Sequence, residues 1–164
     1  MSVRMRQRCF HGLLAGILVV AGSSLAWAQA NDPQYGTWKL NLAKSKYSPG
    51  PAPKEATVTI EAAGPGRKVT VNGVAADGTA VKWGYSGNFD GKEIRLTGNN
   101  PDADVVILKR ISANAVRTTN KMAGKRTLVN GVSVSPDGKT LTVATTGVNA
   151  KGQTVKNTQV FDKQ

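Results

Sequence analysis

The residues of this chain best suited to meet a small molecule are two tryptophans and a tyrosine. Trp83 and Tyr85 stand two apart in "VKWGYSG", which puts both rings on one face if the segment is extended. Trp38 stands in "GTWKL". Aromatic rings can line a pocket for an apolar or flat ligand, and they are also the largest core-filling groups available. Both readings stay open. Among the carboxylates, Asp102 and Asp104 flank Ala103 after Asn99-Asn100-Pro101. Such oxygens could meet calcium, but EF-hand spacing is absent and the pair also reads as turn caps, so no metal is expected. Paired carboxylates for glycoside hydrolysis would have to converge from separate strands, and no spacing indicates that they do.

The N-terminus limits the chemistry further. Arg4, Arg6 and Arg8 precede an apolar run from Gly12 to Leu25, and Ala26-Trp27-Ala28 follows as an A-x-A cleavage site. Residues 1–28 therefore read as a signal peptide, with a mature chain from Gln29 bound for the periplasm or the exterior. The apolar run is too short to span a bilayer comfortably, so no transmembrane segment is expected in the mature chain. Cys9 and His11, the only cysteine and the only histidine, leave with the leader. The remaining chain then lacks thiolate and imidazole, which excludes Ser-His-Asp and Cys-His catalysis and nearly all zinc, copper and haem sites. The expectation is a non-enzyme without a cofactor.

Removal of three arginines leaves 19 Lys and Arg against 10 Asp and Glu, a net charge of +9. That balance favours anionic surfaces such as lipopolysaccharide, acidic polysaccharide or an acidic protein, or serves general solubility. The cations are spread along the chain rather than gathered into a polybasic tract. Nucleic-acid binding would require aromatic platforms on a basic face, whereas Lys82 points away from Trp83 and Tyr85, so no nucleic acid is expected.

These residues need elements to hold them. After Lys54, runs rich in Val, Thr and Ile alternate with turns such as Asp77-Gly78, Asp90-Gly91 and Pro136-Asp137-Gly138. Val58 and Ile60 share one face, as do Val69 and Val71, Val81 with Trp83 and Tyr85, Ile94 and Leu96, and Leu141 and Val143. This period of two predicts strands with one buried and one wet face. "VVILKRI", Val105 to Ile111, breaks the alternation and reads as buried on both faces or bulged. Ten strands are predicted: 35–42, 56–63, 67–75, 79–87, 92–98, 104–112, 115–121, 125–134, 139–147 and 153–162. Short hairpins make neighbours antiparallel, and a meander of this size closes on itself to remove its edges. The fold class is thus all-β, an up-and-down antiparallel barrel of about 8–10 strands occupying residues 29–164 as one domain. Leu, Phe and Met are few, so the interior must be filled by Val, Thr and Asn or left open. Thr118, Asn120, Thr145, Asn157 and Gln159 fall on inward-looking faces.

Gly36-Thr37-Trp38 resembles the G-x-W signature of the calycins, the superfamily of lipocalins, fatty-acid-binding proteins and avidins, in which the tryptophan closes the barrel floor. "GTWKL" and the closing "VFDKQ" are similar to the two ends of fatty-acid-binding proteins, and "WKLNLAKSK" resembles small exported bacterial lipocalin-like proteins. The resemblance spans the mature chain in strand count and only its ends in motif. It implies a binder or carrier of a small apolar or amphipathic ligand. Three departures bear on that. Where fatty-acid-binding proteins carry a helical lid, this chain has Pro49, Pro51 and Pro53, which exclude a helix interior and predict a strap. Where the family grips a carboxylate with an R-x-Y pair, this chain has Gln159 and Phe161. The late arginine that lipocalins place over the tryptophan has only Lys156 and Lys163 to replace it. The candidate ligand contacts are Trp38, Trp83, Tyr85, Asn120, Gln159 and Phe161.

Overall fold

A computed structural model describes residues 32–164, and the expected leader, residues 1–28, lies outside them. Eleven strands follow in chain order: β1 (Gly36–Leu40), β2 (Glu55–Ala63), β3 (Gly66–Val74), β4 (Ala80–Gly87), β5 (Glu93–Arg95), β6 (Thr97–Gly98), β7 (Val105–Ser112), β8 (Ala115–Met122), β9 (Lys125–Val134), β10 (Thr140–Val148) and β11 (Thr154–Lys163). All pair antiparallel in one sheet, ordered β5-β7-β8-β9-β10-β11-β1-β2-β3-β4-β6. The two strands at the ends of that order, β5 and β6, are separated in the chain by Leu96 alone. One segment therefore bonds both free edges: β5 pairs with β7, and β6 pairs with β4. The sheet closes into a barrel.

The fifth predicted strand, 92–98, is thus two short strands with different partners. The switch from one edge to the other falls at Leu96, and β6 then ends on Gly98, whose φ of +90° suits glycine. A Cβ there would lie 2.1 Å from the Lys82 carbonyl oxygen. The seam rests on few bonds, with two register pairs between β4 and β6 and three between β5 and β7.

Elsewhere the alternation in the sequence becomes the two faces of the wall. Val58 sits opposite Val71, and Val71 opposite Trp83. Ile60 sits opposite Val69, and Val69 opposite Tyr85. On the other side Leu141 stands between Val134 and Phe161. The segment "VVILKRI" keeps its alternation after all: Val106 and Leu108 are buried while Lys109 and Ile111 are exposed. A register shift falls at its end, between Arg110 and Ser112.

The proline segment carries a single 3₁₀ turn, Leu42–Lys44, and no α-helix. It first continues β1 along β11, where Lys46 pairs with Thr158 and the Ser48 carbonyl accepts from Lys156 N–H. It then reaches β2, with Lys54 N–H donating to the Val74 carbonyl. Pro53 borders the interior.

Candidate functional site

One end of the barrel is plugged. The φ of +135° at Gly36 brings the chain inward, and a Cβ there would press on Lys163 Cε at 3.0 Å. Trp38, two residues on, is 0% exposed and its indole N–H donates to the Gln34 carbonyl at 2.9 Å. Lys163 Nζ lies 5.0 Å from the Trp38 ring centroid, so a lysine stands where the resemblance implies an arginine. Beside them Asp32 accepts from Arg110, and Arg110 lies over the Phe89 ring, 4.2 Å from its centroid. Gln34 Nε2 ties the plug to the β7–β8 turn by donating to the Asn114 carbonyl.

Above the plug lies a cavity of about 320 Å³, at the lower end of the roughly 300–1,000 Å³ usual for small-molecule sites. Its two walls differ in chemistry. Strands β2 to β4 supply Val58, Ile60, Val69, Val71 and Trp83. Strands β8 to β11 supply Thr118, Asn120, Asn130, Thr145, Asn157 and Gln159, set among Leu128, Val132, Leu141, Val143 and Phe161. The polar wall is partly internally bonded. Asn130 Nδ2 donates to Thr118 Oγ1 at 2.8 Å, and Thr145 Oγ1 donates to Asn130 Oδ1 at 2.8 Å. This ladder crosses three strands because Thr118, Asn130 and Thr145 are cross-strand neighbours in register. The strap adds two ties: Gln159 Nε2 donates to Tyr47 Oη at 3.2 Å, and Ser48 N–H donates to Asn157 Oδ1 at 2.9 Å.

At the base, where the apolar wall meets the plug, Arg67 faces the cavity and is 2% exposed. Its Nη1 donates to Gln34 Oε1 and its Nη2 to Tyr85 Oη, both at 2.7 Å. Its Nε has no hydrogen-bond partner among the described residues. Burial pushes the Tyr85 phenol above its ordinary value, against the opposing pull of Arg67, so the hydroxyl keeps its proton.

Of the six predicted ligand contacts, five line the cavity: Trp83, Tyr85, Asn120, Gln159 and Phe161. Trp38 lies in the plug and is not among the lining residues. Thr118, Thr145 and Asn157 also line it, as their parity predicted. Arg67 lines the cavity without having been expected there, although 67, 69 and 71 share parity and place it on the face of Val69 and Val71. Asp102 and Asp104 act as turn caps, accepting from the backbone N–H groups of Ala150 and Ala123. Among the described residues no group of three or more His, Cys, Asp or Glu is placed to hold a metal.

No protein-family model matches the chain, and no curated protein matches it. Two solved barrels are similar to it. Zebrafish ileal bile acid-binding protein complexed with cholic acid is 11% identical, with a TM-score of 0.46 over 80% of this chain and 99% of the other. A redesigned β-barrel bound to DFHBI is 11% identical, with a TM-score of 0.41 over 82% of this chain and 99% of the other.

Proposed function

We propose that this chain is an exported, non-catalytic binder or carrier of a small apolar or amphipathic molecule held inside the barrel. The observation that carries the reading is the cavity, largely apolar in its lining, with amides and hydroxyls gathered on the β8–β11 side. A ligand with an apolar body gains about 25 cal/mol for each Å² it buries against Val58, Val71 and Trp83. Its polar groups meet Asn120, Asn157 and Gln159, whose positions fix its orientation. None of the lining residues is a histidine or cysteine, and no nucleophile stands beside a base among them. Export rests on the leader-like residues 1–28.

The test is a screen of apolar and amphipathic lipids by tryptophan fluorescence. A saturable change that Trp83→Phe removes is expected. Absence of saturable quenching by any compound in the screen contradicts the reading.

A second reading has its own observation. Lys68, Lys82 and Arg95 border a shallow groove on the outer face of β3 to β6. Such a face suits an anionic partner such as lipopolysaccharide, an acidic polysaccharide or an acidic protein. It predicts retention on a heparin-like resin that falls with salt and weakens in Lys82→Glu. Passage through the resin at low salt removes this reading.

A further inference from the structure

Within the proposed binding function, we infer that the ligand is an amphipathic anion that enters headgroup first and is gripped at the cavity base by Arg67 and Tyr85. The inference rests on that function and adds the chemical class of its ligand.

The argument begins with the cost of the arginine. A guanidinium is a permanent cation, and an isolated buried charge is strongly unfavourable unless paired and hydrogen-bonded. Arg67 is 2% exposed, yet among the described residues no carboxylate forms an ion pair with it. The carboxylate of the plug, Asp32, is taken by Arg110. Both guanidiniums instead approach the ring of Phe89, Arg67 at 5.9 Å and Arg110 at 4.2 Å from its centroid. The interior of the base thus holds two arginine charges against one aspartate charge, with Lys163 a further cation on its exposed side, so positive charge is in surplus there.

The hydrogen bonds around Arg67 are arranged as a receptor rather than a closed network. Its two partners, Gln34 Oε1 and Tyr85 Oη, are neutral and fix the plane of the guanidinium. Nε–H is left over. Tyr85 Oη accepts from Arg67, so its own proton is directed elsewhere, and the ring lies in the cavity wall. A carboxylate, sulfonate or phosphate oxygen placed there receives a charge-assisted bond from the guanidinium and a second from the phenol. Arg67 and Tyr85 come from β3 and β4, three and four strands round the wall from β11, which carries Gln159 and Phe161. The anion site is therefore not the last-strand site of fatty-acid-binding proteins, whose arginine and tyrosine this chain lacks.

The experiment compares decanoate with decanol, which share a chain and differ in charge, each displacing the uncharged dye Nile red from the protein. Wild type is expected to bind decanoate at least about tenfold more tightly than decanol, since a hydrogen bond to a charged group contributes on that order. Arg67→Met should weaken decanoate by about ten- to hundredfold and leave decanol within about threefold. Tyr85→Phe, which keeps the ring and removes one donor, should cut the decanoate-to-decanol ratio by about tenfold, and it serves if Arg67→Met does not fold. Equal binding of the two compounds to wild type overturns the anion site and leaves the cavity reading intact. A loss that is the same for both compounds in Arg67→Met also overturns it. Failure of both to bind wild type overturns the cavity reading and this inference with it.

Discussion

Trp38 and Trp83 lie in the same barrel at different depths, and they should respond differently to the same substitution. Trp38 is held by its bond to the Gln34 carbonyl, by Lys163 above its ring and by complete burial. Trp38→Leu leaves a void in a close-packed plug and should cost about 2–4 kcal/mol in a urea melt. Ligand affinity should move far less, because Trp38 does not line the cavity. Trp83→Leu should do the reverse, with a small loss of stability and a loss of tryptophan quenching by ligand. The three tyrosines allow a second check. Tyr35, Tyr47 and Tyr85 are all raised above 10.0, each chiefly by burial. A raised folded value means the folded chain holds the phenolic proton more tightly than the unfolded chain. That stabilisation is whole below pH 10.0 and is lost as pH rises through the folded values. An absorbance titration should show tyrosinate forming at higher pH in native protein than in urea-unfolded protein, and melting temperature should fall above pH 10.0. Tyr85→Phe should reduce that fall. At this scale the sequence revealed the aromatic pair and the inward amides through parity alone. It did not reveal Arg67 as buried, because a cation at the start of a strand reads as the wet end of a turn until its partners are known.

The strands β5 and β6 show where local pattern stops being informative. Ten strands were legible because alternation and Gly-containing turns are local, and each predicted range has a counterpart within a few residues. The split at Leu96 was not legible, since it depends on which distant edge each half bonds. Gly98 is the one local hint, through a positive φ that no periodicity reports. Gly98→Ala combines that strained φ with a Cβ 2.1 Å from the Lys82 carbonyl oxygen, so the β6 backbone must move away from β4. A loss of about 2 kcal/mol or more is expected. Hydrogen exchange should localise it: the Asn99 amide, bonded to the Lys82 carbonyl, should exchange faster while amides between β10 and β11 are unchanged. Uniform acceleration across the barrel would contradict a seam held by Gly98. The strap was half legible. Three prolines excluded a helical lid, while its run along β11 rests on pairings to Thr158 and Lys156 more than 100 residues away.

At the scale of the whole molecule, a chain with few large apolar residues closes a barrel it cannot fill. Trp38 and Leu108 are 0% exposed and lie outside the cavity lining, while Leu141 and Phe161 form part of it. Valine, threonine and asparagine line the space above, and about 320 Å³ is left between them. Composition made sparse filling legible in advance. It could not say whether the walls would collapse or stand apart, because that depends on closure, twist and the Thr118–Asn130–Thr145 ladder that holds three strands in register. The net charge of +9 over residues 32–164, carried mostly on the outside, is a separate property and would persist if the cavity were filled. Filling the cavity therefore isolates its role. Val58 lines the apolar wall, and Val58→Trp places a large ring in the space a ligand would take. The decisive measurement is a calorimetric titration of decanoate into wild type and into Val58→Trp, with circular dichroism confirming that both are folded. One-to-one saturable heat in wild type and none in the folded variant is the predicted result. Equal binding by both proteins would contradict a ligand held inside the barrel, as would failure of wild type to bind either decanoate or decanol.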